Sequence, residues 1–201
     1  NMNEGILDTL LNHGANINER NGYDDTVLHA AVRVNFVYGV KTCLTKDVKV
    51  NEINCDGETP LHLAKSKEMC EILLDSGALL EARDSFGFTP FLVAVQCNVR
   101  TVNILLQRGA EVNVRDNRGG TAFHYVGNNL ETLRTILDYG GEVNIKDNEG
   151  NTPLHIFIDL QLNSEFIELL LERQADVNIK NNAGFAPLHL AVLKDQTSVI
   201  E

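Results

Sequence analysis

Residues 56–64 read "DGETPLHLA", and the fold turns on whether that phrase stands alone. It does not. Related phrases begin at residue 26 ("TVLHAA"), 89 ("TPFLVA"), 121 ("TAFHYV"), 152 ("TPLHIF") and 186 ("APLHLA"). A second phrase precedes each one: "GANINERNGYDD", "DVKVNEINCDGE", "GALLEARDSFGF", "GAEVNVRDNRGG", "GGEVNIKDNEGN" and "QADVNIKNNAGF". Self-similarity at such a period marks stacked supersecondary units, each too small to bury a core alone.

The spacings divide each period into a fixed part and a variable part. The position closing the "GAEVN"-type phrase is Asn18, Asn51, Glu81, Asn113, Asn144 and Asn178, and the Thr-type position follows eight residues later in all six copies. From each Thr-type position to the next Asn-type position the count varies: 25, 22, 24, 23 and 26 residues. The eight-residue segment must keep register with its neighbours, whereas exposed turns elsewhere tolerate insertion and deletion.

Local chemistry assigns these parts. In "TPLH" the Thr is a good N-cap and the Pro suits the first helical position, where no N–H is needed. Apolar pairs recur near the end of each second helix, at Leu10–Leu11, Leu73–Leu74, Leu105–Leu106, Ile136–Leu137 and Leu170–Leu171, and are expected to face the neighbouring repeat. Gly57, Gly87, Gly119, Gly150 and Gly184 hold one turn position, expected at positive φ, with Asp24 in that place in the first copy.

The "TPLHLA" signature, the "GAEVN" phrase and the period of 30 to 34 residues together resemble the ankyrin repeat family over nearly the whole chain. The resemblance implies an all-α solenoid of helix–turn–helix pairs joined by short β-hairpin fingers. It predicts a single array over residues 1–201: a partial unit at 1–17, units at about 18–50, 51–80, 81–112, 113–143 and 144–177, and a partial unit at 178–201. The chain opens inside a second helix and stops as another starts, as expected for a window of a longer array. Against the family length, "TPLHLAKSKEMCEILLDSG" is three residues short, which predicts a clipped helix pair there.

Composition excludes some functions. Net charge is −11, and phosphate-rich partners need a basic surface, so neither nucleic acid nor an anionic membrane is expected. No apolar run approaches a membrane span. The cysteines at 43, 55, 70 and 97 form no CxxC pair, which fits free thiols in a reducing compartment and an intracellular, cytoplasmic location, or host cytoplasm for an effector.

Catalysis is not expected either. His29, His62, His124, His155 and His189 share one slot of the repeat, and His13 lies outside it. Helices pack about 8–10 Å apart while zinc ligands lie about 2.0–2.1 Å from the metal, so equivalent histidines cannot share an ion. Each stands in a first helical turn, where free N–H groups disfavour imidazolium; in the family this His ties loop to helix. No GxSxG, HExxH or P-loop motif is present. The expectation is no enzyme, no cofactor, no metal and no small-molecule substrate.

What remains is recognition of another protein through the concave surface of fingers and first helices. Two residues after the Asn-type position stand Arg20, Ile53, Arg83, Arg115, Lys146 and Lys180, followed always by Asn or Asp. Pairing with nearby acids is the favoured reading of these cations. Departures from the repeat are more telling. Phe86 and Phe88 flank Gly87 in the copy that has Leu92 for His and Glu81 for Asn. Exposed aromatics anchor interfaces. The expected partner-binding residues are Phe86, Phe88, Gln96, Arg115, Arg118 and Asn151. Asparaginyl hydroxylation, known in the family, is expected at Asn113 ("LLQRGAEVN") and Asn178 ("LLLERQADVN"). Alternative roles are a regulatory or targeting segment of a larger enzyme, channel or adaptor, and a viral or bacterial effector acting on host proteins.

Overall fold

The computed structural model describes residues 2–46, 48–97 and 99–197. The chain divides into two compact units, Asn1–Ala110 and Glu111–Glu201. In both, the described regular elements are helices joined by irregular fingers, and the fold class is the expected all-α one.

The first unit holds α1 (Met2–Asn12), α2 (Val27–Arg33), α3 (Val37–Leu44), a 3₁₀ turn (Pro60–Leu63), α4 (Lys67–Asp75), α5 (Pro90–Cys97) and α6 (Val99–Gln107). Within the pairs α2 packs on α3, the 3₁₀ turn on α4 and α5 on α6, and α2 and α5 both pack on the 3₁₀ turn. The core is Leu28, Val32, Leu61, Met69, Leu73, Phe91, Leu92 and Leu105, all essentially sealed from solvent. The clipped pair falls where the count of residues placed it. After Leu63 the chain leaves the helix at Ala64 (φ −68°, ψ 125°), and Ser66 caps α4 by accepting the Met69 amide.

The second unit holds α7 (Ala122–Tyr125), α8 (Leu130–Asp138), α9 (Pro153–Asp159), α10 (Ser164–Glu172) and α11 (Pro187–Thr197). Its core is Phe123, Leu133, Ile136, Leu154, Phe157, Phe166 and Leu170. Phe157 and Phe166 meet edge to face with centroids 5.9 Å apart. Leu105, Leu106, Ile136 and Leu137 are buried as expected, but Leu10 and Leu171 are exposed. Leu171 lies about 100° round α10 from buried Leu170.

The fingers depart from the expected β-hairpins. Among the described residues the only bridge is an isolated antiparallel one, Arg20 with Thr26. Each finger closes its turn with two backbone bonds, as Asn54 N–H to Glu58 O and Gly57 N–H to Asn54 O do, both at 3.0 Å. Bonds confined to a single turn cannot make a ladder. No described helix is long and apolar enough to cross a membrane.

Candidate functional site

The finger turns owe their shape to the invariable Asn or Asp. Its Oδ1 accepts two amides, two and four residues on. Asn54 takes those of Asp56 and Glu58 at 3.0 and 2.9 Å. Asp84 takes Phe86 and Phe88, Asp116 takes Arg118 and Gly120, and Asp147 takes Glu149 and Asn151. Only a short side group with an acceptor can do this. The following glycine lies at positive φ in every copy, 74° at Gly119 and 78° at Gly150, and Asp24 stands at 62° in its place. At three of these glycines a Cβ would also strike the next finger: at Gly119 it would lie 2.5 Å from Asn148 Oδ1 and 2.9 Å from Asn148 N.

Adjacent tips are tied by backbone. Within the first unit Cys55 N–H donates to Tyr23 O at 3.0 Å and Ser85 N–H to Asp56 O at 2.9 Å. Within the second, Asn148 N–H donates to Arg118 O at 3.0 Å and Asn182 N–H to Glu149 O at 2.9 Å. The Asn-type residues add side-chain ties. Asn51 bridges Gly77 O and Leu79 N–H, and Asn113 bridges Gly140 O and Glu142 N–H.

The histidines are structural. Nδ1 of His29, His62, His124 and His155 accepts the amide of the preceding Thr, so the hydrogen resides on Nε2. Nε2–H then donates to the next finger: His29 to Glu58 O, His62 to Phe88 O, His155 to Phe185 O, at 2.9–3.0 Å. Burial pulls the imidazoles of His29, His62 and His124 below the ordinary 6.5. His124 differs, for its buried Nε2 has no hydrogen-bond partner among the described residues.

The finger-edge cations are largely spent on the scaffold. Arg20 pairs with Asp24 at 3.0 Å and with Glu52. Arg83 donates to Gly87 O at 3.1 Å and Lys146 to Lys180 O at 2.9 Å. In the first unit Arg33 reaches buried Asp25 at 3.1 Å. Burial alone would raise that carboxyl, but Asn54 and Arg33 together hold it below its ordinary value.

Of the expected contact residues, Phe86, Phe88 and Gln96 belong to the first unit. Phe86 is 63% exposed at its finger tip, Phe88 is half-buried, and Gln96 is exposed near the end of α5. Phe185, the third finger-tip Phe, is 37% exposed and meets the His189 ring at 6.3 Å. Arg115, Arg118 and Asn151 belong to the second unit. Arg118 and Asn151 line one groove of about 720 Å³, while Arg115 is exposed and does not line it. Asn113 is held by the two bonds above, and Asn178 is exposed, its own amide donating to Asp176.

The same groove holds residues that were not among the expected contacts: Gly120, His124, Tyr125, Asp147, Glu149 and Asp159. Tyr125 donates its hydroxyl to Asp116. Burial first, then Asp116, raises the phenol above its ordinary 10.0. The available signal was Tyr125 itself, a lone Tyr at a position that is Ala30, Leu63, Val93, Ile156 or Leu190 elsewhere.

Comparison with known proteins gives the same family throughout. A family model described as "Ankyrin repeats (3 copies)" matches residues 1–84, 40–116, 66–147 and 122–201. A putative ankyrin repeat protein of Acanthamoeba polyphaga mimivirus is 31% identical over 61% of this chain and 17% of its own length. One from Fowlpox virus is 35% identical over 50% of this chain and 31% of its own length. Among solved structures, the ankyrin repeat domain of Bcl-3, titled a unique member of the IkappaB protein family, superposes with a TM-score of 0.81 at 29% identity. The match covers 94% of this chain and 87% of that one.

Proposed function

The chain belongs to the ankyrin repeat family, and on that premise we propose that it is a protein-recognition module gripping a partner protein with its finger tips and first helices. Repeats of this kind generally mediate protein–protein interaction, and rigid extended surfaces suit that work. The observation that carries the reading is Phe86, a large apolar ring 63% exposed on a turn that Asp84 locks from within. Phe88 and Gln96 extend this patch in the first unit; Arg115, Arg118 and Asn151 provide polar contacts in the second. The mechanism is shape and charge complementarity without covalent chemistry, cofactor or small-molecule substrate.

Affinity capture tests it. Wild type should retain partners that the Phe86→Ala/Phe88→Ala and Arg118→Ala/Asn151→Ala variants lose. Identical partner lists from all three would remove this surface.

The chain spans less than a third of the viral relatives it matches. That supports a second reading, a recognition segment within a larger protein, tested by reading frame beyond residue 201. The viral relatives support an effector acting on host proteins, tested by delivery into host cells. A cytoplasmic location goes with these readings. Asn113 and Asn178 are proposed targets of an asparaginyl hydroxylase, which inserts one atom of dioxygen into a C–H bond of the Asn side group while a 2-oxoacid co-substrate takes the other atom and loses carbon dioxide. Intact mass after co-expression should show the added oxygen; no gain would exclude it.

A further inference from the structure

We propose that the groove of the second unit takes a lysine or arginine side group from an extended segment of the partner polypeptide. This rests on the protein-recognition reading and adds the chemistry of one contact.

The groove exists because of two paired departures from the repeat. The residue before the Thr position is Asp25, Glu58, Phe88, Asn151 or Phe185 in other fingers, but Gly120 here. A Cβ at 120 would lie 2.6 Å from the Tyr125 hydroxyl oxygen. Gly120 therefore makes room for Tyr125, whose hydroxyl is fixed on Asp116. The result is an anchored aromatic ring in a groove of about 720 Å³.

The charges around that ring select the occupant. Asp147, Glu149 and Asp159 line the groove against a single guanidinium, the exposed Arg118. Asp159 is already paired with Lys194 at 2.8 Å. Asp147 spends Oδ1 on its turn, but among the described residues Oδ2 accepts only a long 3.3 Å bond from Asn151, which also reaches Glu149 at 3.3 Å. A cation over an aromatic face, with carboxylates beside it, is a favourable arrangement; an anion there is repelled.

His124 supplies an independent sign that something else enters. Its ring is 6% exposed, and Nε2–H stands 3.8 Å from Asp147 Oδ2 without an acceptor. Three sibling histidines place the same N–H on a carbonyl. A backbone carbonyl of the bound segment, entering beside Asp147, gives His124 the acceptor that it lacks.

A phage-displayed random heptapeptide library panned on the protein tests this. Enriched peptides should share a Lys or Arg at one position. Their synthetic versions should bind the Asp147→Asn/Glu149→Gln variant, and separately the Tyr125→Leu variant, about tenfold more weakly. Both variants should keep the fold, because Asn serves the turn position at 21, 54 and 181 and Leu stands at 63 and 190; thermal melting checks this. Peptides without a shared basic residue, or equal binding to the variants, overturn the inference and leave protein recognition standing. Enrichment of no peptide also overturns it, while the recognition reading then stands or falls on the capture comparison.

Discussion

The Nε2–H of His62 donates to the carbonyl of Phe88, 3.0 Å away on the next finger, while its Nδ1 accepts the Thr59 amide at 3.0 Å. One ring thus joins a helix start to the following turn. His62→Ala leaves both groups without this partner and should cost about 2–4 kcal/mol, given roughly 1–3 kcal/mol per buried unsatisfied group. His124→Ala should cost about 1 kcal/mol less, because His124 holds no carbonyl. Urea unfolding of both variants measures the difference; equal losses would contradict it.

Acid should weaken the fold through these histidines. Folded His29, His62 and His124 bind protons less readily than at the ordinary 6.5 of the unfolded state. Unfolding therefore takes up protons below that value. Their contribution is fully present above pH 6.5 and is lost as pH falls from there through the lowered folded values. Melting temperature against pH should show the decline, and His62→Gln should make it shallower.

Two glycine substitutions should differ. Gly184→Ala meets nothing within 4 Å, so it should cost only the backbone term at φ 83°, about 1–2 kcal/mol. Gly119→Ala has the same backbone problem and would also press on Asn148, so it should cost more, about 2–4 kcal/mol. Calorimetric melting of both variants checks the order.

One substitution should stabilise. Gln174 stands at φ 65° just past α10, where four other copies place Gly14, Gly77, Gly109 and Gly140. Gln174→Gly should raise stability by about 1 kcal/mol, seen as a higher urea midpoint.

Thiol chemistry should separate the four cysteines into two pairs. Cys55 and Cys97 are exposed, whereas Cys43 and Cys70 are buried, their thiols pushed up by burial to about 11 and about 12. A disulfide reagent should titrate Cys55 and Cys97 rapidly in the native protein and Cys43 and Cys70 only after denaturation. Fast native labelling at Cys70 would contradict the packing.

Much of the fold is legible in the sequence because its determinants are local. Asn54 or Asp84 shapes its own turn, Gly57 must turn left-handed, and Thr59 caps the helix that it starts. The shortened pair could be counted from residue numbers. The missing strands were less legible, since strand assignment needs several rungs and each finger bonds only around its turn. The candidate site was least legible. Phe86 and Phe88 look alike in sequence, yet one stands exposed at the tip and the other is half-covered. The groove depends on Gly120 and Tyr125 acting together across a turn, a pairing that no repeat template encodes.

The backbone ties between finger tips use the same two atoms each time: the carbonyl two residues beyond the Asn or Asp position, and the amide one residue beyond it in the next copy. Side groups only add to these ties, as Asn148 Nδ2 does on Asn117 O and Asn182 Nδ2 on Asn148 O. Any two periods cut at the same phase therefore present identical ends to be rejoined. Duplication, loss or exchange of a whole period recreates a sound junction whatever the surface residues are, so such a protein can lengthen, shorten or trade segments by recombination while its exposed positions diverge freely.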